Sequence, residues 1–187
     1  LIHCWRSKYL EKSDIKVKIN NSIKGISIKS GYNCSMHQEN INRLIPYLQK
    51  MGIEDHVINI LINFITGRIN NEKVNAKIYI EKKQKEIEIL SKELNNYYIK
   101  SGLITRFIIQ GTELQRYGCD CLVYGTPKSF LWATKNELLK FLVESEQINN
   151  NSISIGSLNL KCYDRNLNNN PNRINKERDI QIKWYKI

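Results

Sequence analysis

The sequence predicts an α/β (α+β) protein: a mixed central sheet flanked by helices, with a helical insertion and a C-terminal β-rich portion. Three observations lead there. Residues 14–19 (DIKVKI) alternate polar and apolar with the period of a strand. Residues 40–110 carry apolar stripes at helical spacing. The last third of the chain returns to short alternating runs and closes on IQIKWY.

Leu1–Tyr9 is mixed in character and suits a first strand. In Asp14–Ile19, the residues Ile15, Val17 and Ile19 share one side, as in a half-buried strand. Asn20-Asn21-Ser22 is a turn, because Asn tolerates positive φ. Ile23–Lys29 returns with Ile26 and Ile28 on its apolar face. Parity then constrains chemistry. An Asn20-Asn21 loop sets Asp14 across from Ser27, and an Asn21-Ser22 loop sets it across from Lys29. Both keep Asp14, Ser27 and Lys29 on one face, opposite the isoleucines; a three-residue loop breaks the pattern.

Ser35–Gln38 fits a capping box, which predicts a helix carrying Ile41, Leu44, Ile45 and Leu48, kinked at Pro46 and ended at Gly52. Asp55–Thr66 is a second helix, capped by Asp55 and ended by Gly67. Glu81–Lys100 is a charged helix that buries Ile87, Leu90 and Leu94. Leu103–Ile109 continues it or turns to strand near Gly111. Cys121–Tyr124 is a short strand. Thr134–Glu137 caps a helix through Leu138, Leu139, Phe141 and Leu142. Ile153–Ile155, Leu158–Tyr163 and Ile180–Tyr185 are strands, separated by the polar Asp164–Arg178 loop.

A chain of 187 residues with 41% hydrophobic content is long enough for one sizeable core. A net charge of +11 favours polyanions, nucleic acid first, over acidic proteins or membrane surfaces. The plainer account is a basic surface from a genome rich in Lys, Ile and Asn codons. The five cysteines form no C-x-x-C pair, which argues against a zinc ribbon and for reduced thiols in a cytoplasmic protein. No apolar run approaches the roughly 20 residues of a membrane span, and the first residues are not a signal peptide. The chain does not start with Met, so an N-terminally truncated protein is expected.

An Asp paired across strands with a Lys suits metal-assisted phosphodiester hydrolysis. The acid holds a divalent cation, and the amine positions water or offsets developing charge. Here the segment SDIKVKINNSIKGISIKSG resembles the core of the PD-(D/E)xK, or restriction-endonuclease-like, nucleases. In that pattern an Asp begins one strand and acid-x-Lys ends the next. Asp14 matches the Asp and Lys29 the Lys. Ser13 stands where Pro is usual, and Ser27 where the second acid is usual. Some restriction enzymes of this superfamily carry S-x-K and take the second acid from the helix that follows, a part that falls to Glu39. The run from SIKSG through S-x-H-x-E, with the closing IQIKW strand, is similar to bacterial and phage restriction-like proteins. The resemblance covers Trp5–Leu48, with a looser echo over Leu158–Tyr185.

It implies a single nuclease domain over 1–187: a catalytic hairpin and helix (1–50), a helical insertion (51–110), and a portion that completes the sheet and contacts DNA (111–187). It implies a Mg²⁺-dependent endodeoxyribonuclease, a sequence-specific type II restriction endonuclease acting as a homodimer on double-stranded DNA. Asp14, Lys29, Glu39 and Ser27 are the expected catalytic residues, with Asp14 and Glu39 on the metal. Ser30, Ser35 and His37 are expected near phosphate; Arg165, Asn166, Asn168 and Arg173 in the polar loop, with Lys183 on the last strand, are the expected DNA contacts. Asp179 and Lys183 share one strand, so the hairpin pair is preferred. Helix phase qualifies Glu39: a helix begun at Ser35 turns it about 160° from the apolar stripe and aims His37 at the sheet. Glu39 then reaches a metal only if the helix starts nearer Gln38 or its first turn is irregular. The alternatives are an inactive nucleic-acid-binding module of the same fold, or a basic interaction protein.

Overall fold

In the computed structural model, which describes residues 2–8, 11–30, 34–70, 72–111, 118–126, 128–147, 152–162 and 179–184, the chain opens as an antiparallel meander. Its strands are β1 (Ile2–Arg6), β2 (Ile15–Ile19) and β3 (Ser22–Lys29). Ile19 faces Ser22, so the loop is Asn20-Asn21, and Asn20 takes the left-handed φ of 54° that the turn requires. Next come β4 (Cys34–Asn40), α1 (Ile41–Lys50) and α2 (Asp55–Thr66), then a small ribbon of β5 (Arg68–Ile69) and β6 (Glu72–Lys73). Three helices follow: α3 (Ala76–Lys82), α4 (Gln84–Leu94) and α5 (Tyr97–Ile104), the last extended by a π-turn over Thr105–Gln110. The chain closes with β7 (Cys121–Thr126), β8 (Ser129–Thr134), α6 (Lys135–Glu144), β9 (Ile153–Ile155), β10 (Leu158–Cys162) and β11 (Asp179–Trp184).

Two sheets result. One has the order β1-β2-β3-β7-β8 and is mixed, because β3 and β7 run parallel. The other, β4-β11-β10-β9, is antiparallel. The inward residues Ile180 and Ile182 of β11, Leu158 of β10, and Ile153 and Ile155 of β9 are fully buried beneath the helices. Each such side chain contributes about 1.5–3 kcal/mol. Tyr124 of β7 and Phe141 of α6 both reach Trp184 of β11, joining the two sheets through one aromatic cluster.

The predicted hairpin, the α2 helix and the strands at 153–155, 158–162 and 179–184 form, though the N-cap of α2 is Glu54 and not Asp55, which lies in its first turn. The Thr134/Glu137 capping box forms with both of its hydrogen bonds. Three expectations are corrected. The charged segment 81–100 is not one helix. It breaks at Lys83, between α3 and α4, and again at Asn95-Asn96, where Asn96 caps α5 and the Asn95 amide bonds Ser154 O of β9 and Gly156 N–H in the turn after it. A strand the periodicity did not predict, β8, continues the β7 hairpin. The largest correction is at Ser35–Gln38, which is the strand β4 and not a helix start. Pairing with β11 supplies a backbone ladder along residues 34–40, interrupted at Met36, outweighing a local cap; the helix begins at Ile41, with Asn40 as its N-cap accepting from Asn42 N–H at 3.1 Å.

The exposed and covered faces of the meander are also opposite to expectation. Asp14, Lys16, Gly25, Ser27 and Lys29 line the face turned toward the rest of the protein. Ile15, Ile19, Ile26 and Ile28 line the other, with Ile19 and Ile28 about half exposed. Gly25 allows this close approach, since a Cβ there would meet the Gly118 carbonyl oxygen at 2.7 Å.

Candidate active site on the hairpin

Register places Asp14 at the position facing Ser27, one of the two arrangements that the loop options allowed. Asp14 stands just before β2, its N–H donating to Ile26 O at 2.8 Å. Its carboxylate is held from β3. The Ser27 hydroxyl donates to Oδ2 at 3.0 Å, and the Ile28 N–H donates to the same oxygen at 2.6 Å. Lys29 Nζ lies 3.7 Å from that oxygen. Ser27 is fully buried, whereas the Asp14 side chain keeps 49% of its surface exposed. The hairpin thus presents one carboxylate, fixed by two donors and flanked by an ammonium, at an open edge. Ser27 occupies itself with the carboxylate and not with Lys29.

Glu39 is not brought to this group. As part of β4 it points inward, with no exposed side-chain surface. Arg106, from the π-turn, grips it as a fork: Nε donates to Oε1 at 3.0 Å and Nη2 to Oε2 at 2.7 Å. Burial alone would raise the Glu39 pKa, but His37 and the Arg106 guanidinium overcome it and hold the carboxyl below its ordinary value. His37 Nε2 sits 3.1 Å from Oε1, close enough to help hold that carboxylate in its charged form. The His37 ring stacks on Phe107, and burial pushes its pKa down, keeping it neutral near pH 7. Arg106 also lies over the Tyr47 ring at 4.8 Å and reaches Arg43 O.

This corrects two expectations. Neither the early helix nor its phase governs residues 35–39. In the strand, His37 and Glu39 point to the same interior side because they are two residues apart in unbroken register with β11, and the ladder shifts only before them, where Met36 is bulged between Ser35 facing Lys183 and His37 facing Ile182. His37 is therefore an interior residue. Ser35 and Lys183 are cross-strand neighbours, with Gln181 Nε2 donating to Ser35 Oγ at 3.2 Å. Ser30 follows Lys29 directly and is exposed. Arg165, Asn166, Asn168 and Arg173 lie outside the described residues. Arg106 was not foreseen: it is distant in sequence from Glu39 and sits in an apolar run, TRFIIQ, with no local mark of an ion pair.

Among the described residues no group of three or more His, Cys, Asp or Glu is placed to hold a metal ion. The donor set at Asp14 nevertheless fits Mg²⁺ in one mode. That ion keeps several waters and is commonly bound by one or two carboxylates completed by a substrate phosphate. A half-exposed carboxylate fits this; an all-protein cage does not. Among the described residues no helix is long and apolar enough to cross a membrane.

No family model matches the sequence, and no curated protein matches it. Among solved structures, the chain is similar to the restriction endonuclease MspI in complex with its cognate DNA. The TM-score is 0.59 at 12% identity, over 97% of this chain and 70% of that one. At that identity the likeness speaks to architecture, and with the mixed sheet and its flanking helices it establishes a restriction-endonuclease-like fold for this chain.

Proposed function

We propose that the protein is a Mg²⁺-dependent endodeoxyribonuclease, a sequence-specific type II restriction endonuclease that hydrolyses phosphodiester bonds in double-stranded DNA as a homodimer. The observation that carries this is the Asp14 carboxylate, pinned by Ser27 and Ile28 with Lys29 at 3.7 Å. Asp14 would hold the cation, which when bound polarises the phosphate and supplies an acidified water. Ser27 and the Ile28 N–H orient that carboxylate by donating to one oxygen. Lys29 places positive charge where the attacked phosphate accumulates negative charge. Glu39, sealed against Arg106, is assigned to holding β4 and not to the metal. Support for DNA as substrate comes from the +11 charge and from the solved neighbour, which is a DNA complex. Two-strand cleavage is the reason for proposing a dimer.

The test is plasmid cleavage in Mg²⁺ by wild type beside Asp14→Ala and Lys29→Ala. Each substitution is expected to lower the rate by about 10³-fold or more while leaving folding intact, as a group acting on transition-state charge does. A wild type that binds duplex DNA but cuts nothing would leave the inactive binding module as the function. Binding should weaken with salt at a slope of about −0.9 per phosphate neutralised.

A further inference from the structure

We propose that Lys12 is a positioning residue of this site, fixing where the Asp14 carboxylate stands by tying its lead-in strand to the bulge of β4; the catalytic consequence rests on the nuclease reading above. Met36, bulged from β4, has no partner across the ladder to β11. Its carbonyl accepts from Lys12 Nζ at 2.7 Å. A buried carbonyl without a partner is costly, so this bond has a structural reason to persist.

The three residues leading into β2 are each pinned in a different direction. Lys12 reaches across to β4. Ser13, buried, meets Ser7 Oγ at 2.8 Å. Asp14 bonds to β3 through its N–H and carboxylate. Of these contacts only that of Lys12 crosses to the second sheet, so it sets the separation between the Asp14 wall and the layer behind it. The stem passes beside Gly111, at the end of the π-turn, where a Cβ would lie 3.7 Å from the Lys12 Cβ. Burial first, and Lys29 second, pull the Lys12 ammonium down to about 8, with Cys119, Asp14 and Glu39 also in electrostatic reach. Lys12 therefore stands where the hairpin site, β4 and the helical insertion meet.

The Ile28 amide, 2.6 Å from Asp14 Oδ2, reports the carboxylate position without any enzyme assay. In Lys12→Met, which keeps the stem but removes the donor, the Ile28 amide resonance should move upfield and its hydrogen exchange quicken by about tenfold or more, while Ile180 and Ile182 amides stay as in wild type. Turnover of duplex DNA should fall by about 100-fold with KM nearly unchanged, the mark of a misplaced group and not of lost binding. Lys12→Arg should recover part of that loss. An unmoved Ile28 amide in folded Lys12→Met, or in Lys12→Leu if the Met variant does not fold, overturns the proposal. If wild type cleaves no DNA, the nuclease reading fails and the Ile28 amide alone decides the role of Lys12.

Discussion

On the meander β1-β2-β3, the face bearing Ile2, Ile19 and Ile28 is 72%, 48% and 46% exposed at those residues, while Lys16 and Ser27 on the opposite face are 7% and 0% exposed. Polar side chains are covered there because each has a partner. Ser27 donates to Asp14, and Lys16 meets Glu11 at 2.6 Å. The second sheet has the ordinary arrangement, with Ile180, Ile182 and Trp184 of β11 inside. The contrast separates two properties that alternation alone merges. One is which residues share a face; the other is which face is covered.

The contrast is tested most severely in the buried cluster behind β4. Arg106→Met strands a buried carboxylate, and should cost about 3–5 kcal/mol in urea unfolding. Replacing the pair together, Glu39→Leu with Arg106→Met, should recover much of that loss. The same cluster sets an acid limit. His37 and Glu39 both have folded pKa values below their ordinary 6.5 and 4.5. The unfolded chain therefore binds more protons, and their contribution is full above pH 6.5. It is lost as pH falls, first through His37 below 6.5 and then through Glu39 below 4.5. Unfolding midpoints measured from pH 7 down to 4 should fall throughout; a flat profile would mean that neither group is linked to folding.

Next in size is a direct comparison of the two isoleucine faces. Ile180→Ala, in a fully buried site, should cost about 2–5 kcal/mol. Ile19→Ala, half exposed, should cost under about 1 kcal/mol. Equal costs would show that the outer face is covered in solution. On the polar face, Ser27→Ala leaves Asp14 Oδ2 with the Ile28 N–H alone. It should cost about 1 kcal/mol of stability and lower cleavage by roughly tenfold.

What was legible in the sequence was local. The turn residues Asn20 and Asn21 and the alternation on either side were enough to put Asp14, Ser27 and Lys29 on one face, and that is how they stand. Cover was not legible, because it comes from Gly118 and β4, which lie outside the hairpin's own sequence. The same holds for Glu39. Its strand exists because β11 pairs with it, and its partner Arg106 is delivered by a π-turn that carries no sequence mark. A capping box is a local signal, and where a long ladder is on offer the non-local pairing wins.

That competition gives the smallest but cleanest test. If Ser35 were the N-cap of a helix, Ser35→Ala would cost about 1 kcal/mol and Asn40→Ala little. With β4 as a strand the order reverses. Asn40 caps α1 by accepting from Asn42 N–H, and it also donates to Asp179 at 3.0 Å, so Asn40→Ala should cost about 1–2 kcal/mol. Ser35 is exposed and loses only the 3.2 Å contact from Gln181, so Ser35→Ala should fall within about 0.5 kcal/mol of wild type. Paired unfolding curves measure both. A Ser35→Ala cost that equals or exceeds that of Asn40→Ala would return residues 35–39 to the helix and reopen Glu39 as a group free to turn toward Asp14.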